Sequence, residues 1–399
     1  MKLTRKQQEL RFKILDKIYS KGPISRIDIS RETGITPATV SEITGIMISE
    51  NLIHEIGEVL PEEIKSGRKK VLLGISPNHS FYIGTELSTK YLSFCLTDNV
   101  GNIFKDKVIE LNSNYLDDTL SEEYYIHELK EFIKSCASYT PKGIGVALPG
   151  HFDYKNKSII SNYPFWMNFN IKLLLDNVDL PITFENNVKS MALSERLFSF
   201  SNANDNFIFL HVSRGMFSSY MYNGELYSND NPVVGEIGHI IIHPDGELCP
   251  CGCGRRGCLQ TYASEKWIIK KCEILFESSE ITYLNQLVTE KNKITIDTIL
   301  KAYRLGDEAI INLLHSAIKY LSITINNLSV TIDASKIIIH GELFTEPLLV
   351  DLLMESINQN ISFISTGKKQ DIIFKPYNNI NGAIGGAALC ISKMLINSN

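Results

Sequence analysis

The residue types best suited to chemistry fall in one short stretch of this 399-residue chain. Gly235-Glu236-Ile237-Gly238-His239 is followed closely by Cys249, Cys251, Cys253 and Cys258. Thiolate and imidazole are the donors a structural zinc ion prefers, and four of them close a tetrahedral site. The interspersed glycines let a short loop turn back so that its sulfurs converge. Without a metal, four neighbouring thiols would be open to oxidation. The other cysteines, Cys95, Cys136, Cys272 and Cys390, are scattered singly. That is metal-site usage in a reducing cytosol, not a disulfide framework. Cys95 and Cys390 sit in apolar runs and are expected to be plain core residues.

Alternating strands and helices must position this loop. From Ser80 onward, strands are predicted at 81–84, 91–97 and 102–111. A helix at 122–137 follows, then a buried strand at 143–148. Further strands are expected at 181–184, 207–212 and 217–222, with long helices across 260–330, a strand at 336–340 and a closing helix at 384–395. That order implies an α/β body. The length exceeds what one core usually supports, so two or three domains are expected. Hydrophobic content of 44% and charged content of 21% describe an ordinary soluble protein. No apolar run approaches the ~20 residues that span a bilayer, and the first residues lack the apolar core of a signal peptide. A cytoplasmic protein is expected.

The first 80 residues differ from the rest. They carry 13 Lys and Arg against 10 Asp and Glu, whereas the remainder carries 27 against 35. A mildly basic head on an acidic body suits a DNA reader attached to a body with another task. Leu10, Phe12, Ile14, Leu15 and Ile18 fit one face of a helix. Ser25 precedes Asp28 at the spacing of a capping pair, and a short helix runs to about Glu32. Thr33-Gly34 is a turn. Thr36 can cap the next helix, with Pro37 at its first position. Two strands near 52–56 and 69–73 bracket Gly57 to Arg68. Together these predict a winged helix-turn-helix. Thr36, Thr39 and Ser41 stand at the front of the recognition helix, which points to base edges, and the hydroxyls of Thr39 and Ser41 could touch either a base or a phosphate. Arg26, Arg31, Lys65, Arg68 and Lys69 would neutralise phosphates. A helical hairpin used only for packing or dimerisation is the plainer alternative.

Cys251-Gly252-Cys253-Gly254-Arg255-Arg256-Gly257-Cys258, placed just after Glu236-Ile237-Gly238-His239, resembles the ROK family. That family contains sugar-responsive repressors, uncharacterised proteins and sugar kinases, and its members carry ExGH and CxCGxxGC segments. The resemblance implies an actin-like fold of two lobes with a cleft between them, and a zinc ion held by His239, Cys251, Cys253 and Cys258. The family spacing from histidine to first cysteine points instead to Cys249, so Cys249 stays open as a replacement ligand. Ser25-Arg26, Thr39-Val40-Ser41 and Gly67-Arg68 resemble the heads of the repressor members, which the kinase members lack.

In ROK kinases an ENDAN-like segment supplies the Asp that takes the sugar hydroxyl proton. Here it reads Glu185-Asn186-Asn187-Val188-Lys189, with Asn187 at the base position. A neutral amide cannot accept that proton, and losing a general base lowers rates by ~10²–10⁴. A DxGGT-like phosphate loop reads Glu86-Leu87-Ser88-Thr89-Lys90, and a GTGIG-like one reads Ser213-Arg214-Gly215-Met216-Phe217. Side chains occupy both glycine positions of the first, and the second keeps only Gly215 of the glycines that let backbone N–H groups approach phosphate. The resemblance assigns sugar contacts to Asn186, Asn187, Glu236, His239 and Gln260. Gln260 departs from the usual glutamate of GCLE and loses its charge-assisted bond. Glu236 capping a loop beside the metal is the plainer alternative. His211, His243 and His340 read as ordinary structural or surface histidines.

The expected organisation is a winged helix-turn-helix at 1–78 and a two-lobed sugar-kinase-type domain at 79–399. Lobe one would span about 79–192 plus the closing helix, and lobe two about 193–383. The expected function is a sugar-responsive repressor without kinase activity, with zinc as structural cofactor. Operator DNA, a small sugar and a second copy of the chain, as homodimer or dimer of dimers, are the expected partners. Two alternatives remain: a DNA-binding regulator with a vestigial sugar pocket, and an active kinase with an appended head.

Overall fold

Thr4 starts the first helix by a reciprocal cap. Its side chain accepts from Gln7 N while the Gln7 side chain bonds back to Thr4 N, so two otherwise orphaned donors are satisfied. The computed structural model describes residues 4–59, 70–111, 120–161, 163–199, 206–227, 231–249, 253–278, 281–359 and 370–397. Helix α1 (Arg5–Lys21) buries Ile14, Leu15 and Ile18, part of the apolar stripe expected of it. Helix α2 (Arg26–Thr33) is capped by Ser25, which accepts from Asp28 N. Helix α3 (Pro37–Ser49) is capped by Thr36 with Pro37 in its first turn. Val40, Ile43 and Met47 are buried, and Ile48 is half-buried. A three-stranded sheet follows in the order β1 (Ile24–Ser25), β3 (Lys70–Ile75), β2 (Ile53–Val59), with β2 antiparallel to β3. This is the order of a helix-turn-helix followed by an antiparallel strand pair. The connection between β2 and β3, which holds Lys65, Gly67, Arg68 and Lys69, lies outside the described residues.

The chain forms two compact units, residues 1–204 with 379–399 and residues 205–378. The first contains the head. α1 packs against helix Asn187–Phe198 and against segment Ser392–Ile396, so the expected break after 78 does not free the head. The expected break at 192 falls inside helix Asn187–Phe198, and the unit runs on to 204.

The sheet of the first unit has the order β10 (Ile182–Asn186), β7 (Ile144–Leu148), β4 (Phe81–Leu87), β5 (Tyr91–Asp98), β6 (Ile103–Glu110). β10, β7 and β4 run parallel, and β5 and β6 are antiparallel additions. One face packs Phe94, Ile144 and Val146 against Tyr125, Leu129 and Phe132 of helix Glu122–Ser135. The other face carries the closing helix Asn381–Ile391 on small residues. Gly84 and Gly145 are register partners on β4 and β7. A Cβ on Gly84 would lie 1.8 Å from the Ala383 carbonyl oxygen, and one on Gly145 would lie 1.8 Å from that of Gly386. Only glycine admits so close a backbone approach. Cys95 and Cys390 are fully buried, as expected of core residues.

The sheet of the second unit has the order β13 (Glu225–Leu226), β12 (Met216–Tyr222), β11 (Phe207–Val212), β14 (Lys336–His340), β15 (Asp371–Phe374). Ile208, Leu210, Ile337 and Ile339 pack against the long helix Glu308–Thr331 and its neighbours. No helix among the described residues is long and apolar enough to cross a membrane.

Candidate functional site

The head presents Thr36 and Ser41 to solvent and keeps Thr39 half-buried. Thr36 Oγ1 and Thr39 Oγ1 lie 2.9 Å apart, one hydroxyl donating to the other, which ties the two together at the front of α3. Arg26 has internal partners: its Nε donates to Thr44 Oγ1 (3.0 Å) and its Nη2 to Glu55 Oε1 (2.9 Å). Arg31 pairs with Asp28, which also accepts from Lys70 Nζ at 3.0 Å. Of the two arginines expected to neutralise phosphate, Arg26 is held by a distant carboxylate on β2, whereas Arg31 pairs with Asp28 one turn earlier on its own helix and stays exposed.

In the first unit, Asn186 and Asn187 stand where β10 ends and helix Asn187–Phe198 begins. Asn186 Oδ1 accepts from Val188 N (2.9 Å) and Lys189 N (3.2 Å), which caps the helix, and its Nδ2 donates to the Gly150 carbonyl (3.0 Å). Asn187 Nδ2 donates to Glu86 Oε1 at 3.0 Å. Glu86 is buried, its Oε2 packs on Gly382, and that oxygen has no hydrogen-bond partner. Burial pushes the Glu86 carboxyl up to about 7, against the bonds it accepts from Asn187 and Tyr91. An acidic group therefore lies against the position where a kinase would hold its base. The sequence marked Glu86 only as the start of a degraded phosphate loop.

In the second unit, backbone pairing assembles the metal loop. Ile241 bridges Cys258, Leu248 bridges Arg256, and Leu259 N donates to the Ile240 carbonyl at 2.9 Å. Gly257, at φ 68°, lies so close to His243 that a Cβ would fall 1.7 Å from its carbonyl oxygen. These contacts bring His239, Cys253 and Cys258 together, with all three donor atoms within 4.8 Å of one another. Cys253 Sγ and Cys258 Sγ are 3.9 Å apart. Two sulfurs on one tetrahedral zinc, each bonded at ~2.3 Å, would sit at nearly that separation. Burial, then the neighbouring thiols of Cys249 and Cys253, hold the Cys258 thiol well above its ordinary range. Thiols this close ionise together only beside a cation, so the donor set fits a metal. Cys251 lies outside the described residues.

Glu236 and His239 share one 3₁₀ turn, with His239 N donating to the Glu236 carbonyl at 3.0 Å. Gln260, on the short helix after Cys258, lies under Gly238 and donates from Nε2 to Cys249 Sγ at 3.2 Å. That contact explains the departure from glutamate. A carboxylate could not donate to sulfur and would repel a thiolate. Cys249 and Gln260 are thus a matched pair. Ser213, in the second degraded phosphate loop, donates to Glu265 Oε2 at 3.0 Å, and Glu265 is fully buried. Glu265 escaped sequence reasoning because nothing local marks a helix-start glutamate as the neighbour of a loop some fifty residues earlier. His211 and His340 stack across β11 and β14 with Nδ1 atoms 2.9 Å apart, a strand-to-strand contact.

The ROK family pattern matches residues 82–393. The xylose repressor of Bacillus spizizenii is 26% identical over 386 residues, covering 96% of this chain and 94% of its own. The Escherichia coli regulator NagC is 27% identical over 332 residues, covering 81% of this chain and 77% of its own. A solved ROK family transcriptional regulator, a homolog of the E. coli MLC protein, superposes with a TM-score of 0.76 at 24% identity over 99% of this chain and 98% of its own. A ROK family glucokinase from Streptomyces griseus, solved with glucose and AMPPNP, superposes with a TM-score of 0.65 at 20% identity. It matches 78% of this chain and 99% of its own, so part of this chain has no counterpart in the kinase. With the family pattern running from β4 through the metal loop to the closing helix, this chain belongs to the ROK family.

Proposed function

We propose that this chain is a transcriptional repressor without kinase activity. Its head binds operator DNA, and its body binds a small sugar of the class named for the xylose and N-acetylglucosamine repressors. The observation that carries this reading is a capped helix-turn-helix joined to a kinase-type body in which Asn187 holds the base position and bonds to Glu86. Side chains at both glycine positions of the first phosphate loop, and Glu265 buried against Ser213 of the second, further disfavour a nucleotide phosphate. Thr36, Thr39 and Ser41 face bases, and Arg68 and Lys69 contact phosphate. Arg26, held by Glu55 and Thr44, braces the head instead. Paired heads of a homodimer reach half-sites about one helical turn apart.

The direct test is fluorescence polarisation of the intact protein on a duplex from its gene's own upstream region. It is run with and without D-xylose, D-glucose and N-acetyl-D-glucosamine, beside an ADP-release assay on the same sugars. Operator binding that one sugar shifts, with no ADP release, is expected. Indifference to the duplex, or turnover at ~1–100 per second, would sink the reading. A second reading, a constitutive DNA binder with a vestigial pocket, draws on the side chains of Asn186 and Asn187, which are engaged within the fold. Glu236→Ala separates the two. Under the first reading it keeps operator affinity and loses the sugar response.

His239, Cys253 and Cys258 hold a structural zinc, with Cys251 as fourth ligand from the CxCGxxGC pattern. When bound, zinc fixes the loop that carries Glu236. Purified protein should contain about one zinc per chain by mass spectrometry under native conditions. Cys258→Ser should lose it, and Cys249→Ser should keep it. Loss in Cys249→Ser with retention in Cys251→Ser would reverse that ligand choice.

A further inference from the structure

We infer that helix Asn187–Phe198 is a lever joining the effector side of the first unit to the DNA-reading head, and that Arg196 is its grip. Arg196 Nη2 donates to Asp16 Oδ1 of α1 at 2.6 Å. The Arg196 side chain is 7% exposed and that of Asp16 is 34% exposed. Arg196 Nε is buried with no hydrogen-bond partner, so the guanidinium is held chiefly by this one carboxylate. A guanidinium taken out of water is costly unless paired, and its orientation follows its partner. Tyr19 adds a second fastening from α1, donating from its hydroxyl to the Asn99 carbonyl at 2.7 Å. The same turn reaches the lever, where a Cβ on Gly101 would lie 2.6 Å from the Phe198 ring.

The two ends of the lever have different neighbours. Its first end is the Asn186 cap, tied to Gly150. Arg196 lies ten residues on, about 15 Å along a rigid helix. Beyond Arg196, α1 continues the path to the recognition helix. Arg11 pairs with Glu50 at 2.6 Å, and Gln7 Nε2 donates to Glu42 at 3.3 Å. A ligand that moves the Gly150–Asn186 corner therefore moves the carboxylate-held end of α1, and α1 carries α3 with it. Arg196 is a positioning residue. It touches neither sugar nor DNA, and it sets how strongly one is felt by the other.

This inference rests on the effector reading, and the test separates the two. The full-length wild type, Arg196→Met and Asp16→Asn are titrated with the upstream duplex. Each titration is repeated with whichever of D-xylose, D-glucose and N-acetyl-D-glucosamine most changes wild-type affinity. Coupling in the wild type should be about 5–150-fold. In both variants calorimetry should find sugar affinity within about twofold of wild type, while the ratio of operator affinities collapses to below about twofold. Hydrogen exchange of the amides in 5–21 should respond to sugar in the wild type and not in the variants. A merely structural grip would weaken operator binding equally with and without sugar and preserve the ratio, which would overturn the inference. Wild-type operator affinity indifferent to all three sugars would remove the effector reading, and this inference with it.

Discussion

Gly145→Ala should leave little folded protein. The added Cβ would lie 1.8 Å from the Gly386 carbonyl oxygen and 2.6 Å from its carbon. Both atoms are backbone, so no side chain can swing aside. The closing helix must lift from β7, and its contacts with Thr85 and with the facing Gly84–Ala383 approach open together. Forcing a methyl into a well-packed core costs about 1–3 kcal/mol when side chains can adjust, and a backbone clash exceeds that. Loss of more than ~3 kcal/mol is expected, seen as insolubility or a collapsed urea midpoint. Gly215→Ala is the control, since a Cβ there meets nothing within 4 Å. It should melt with the wild type. A Gly145→Ala protein melting within a degree or two of wild type would show that the helix rides higher on the sheet than described.

Glu86→Gln should stabilise the protein in a pH-dependent way. The folded carboxyl titrates near 7 against an ordinary value of 4.5, because burial disfavours its charge. Folding therefore takes up a proton between those values. The stability associated with the protonated carboxyl is complete below about pH 4.5 and is lost as pH rises through about 7. At about 1.4 kcal/mol per unit, the full loss is on the order of 3 kcal/mol. Glutamine accepts the same bond from Asn187 and carries no charge to desolvate. Its advantage in melting temperature should be near zero below about pH 4, grow between about pH 4.5 and 7 and level off near pH 8. The charged neighbour Lys90 is unchanged by the substitution and cannot supply that slope. A difference constant from pH 5 to pH 8 would mean that Glu86 does not titrate in this range.

Strands covered on both faces were the most legible part of the fold. The runs at 143–148, 207–212 and 336–340 are apolar without alternation, as fully buried parallel strands must be. The caps at Ser25 and Thr36 were legible because capping is a local matter of one side chain and one backbone amide. The hairpin of β8 (His151–Asp153) and β9 (Ser158–Ile160) left no trace, since three residues cannot establish a period. Helix Pro347–Gln359 carries leucines on several faces, with Leu349 and Leu353 buried and Leu348 exposed, which blurs its 3.6-residue repeat. Asn186 could equally have been read as a helix cap, because asparagine between a strand and a helix is a favoured one. The family motif drew attention to sugar instead. Gln260 looked like erosion until its partner Cys249 was seen in space, eleven residues back along the chain. Arg196 and Asp16, 180 residues apart, could be joined only by the fold.

The return of residues 379–399 to the first unit sets an order of events during synthesis. The head and most of its supporting sheet leave the ribosome first, but the glycine floor at Gly84 and Gly145 stays bare until the entire second unit has been made. Segment Ser392–Ile396, against which α1 rests, emerges later still. Domains fold as they are translated, at roughly 5–20 residues per second, so the head waits many seconds for the seat that orients it. A chain interrupted within the second unit would carry the recognition helix without that seat. Such a fragment has the residues to touch DNA and lacks the support that ties the head to the body. Interrupted synthesis therefore yields a head without the segment that α1 rests on, and the first unit is complete only once the second has been synthesised.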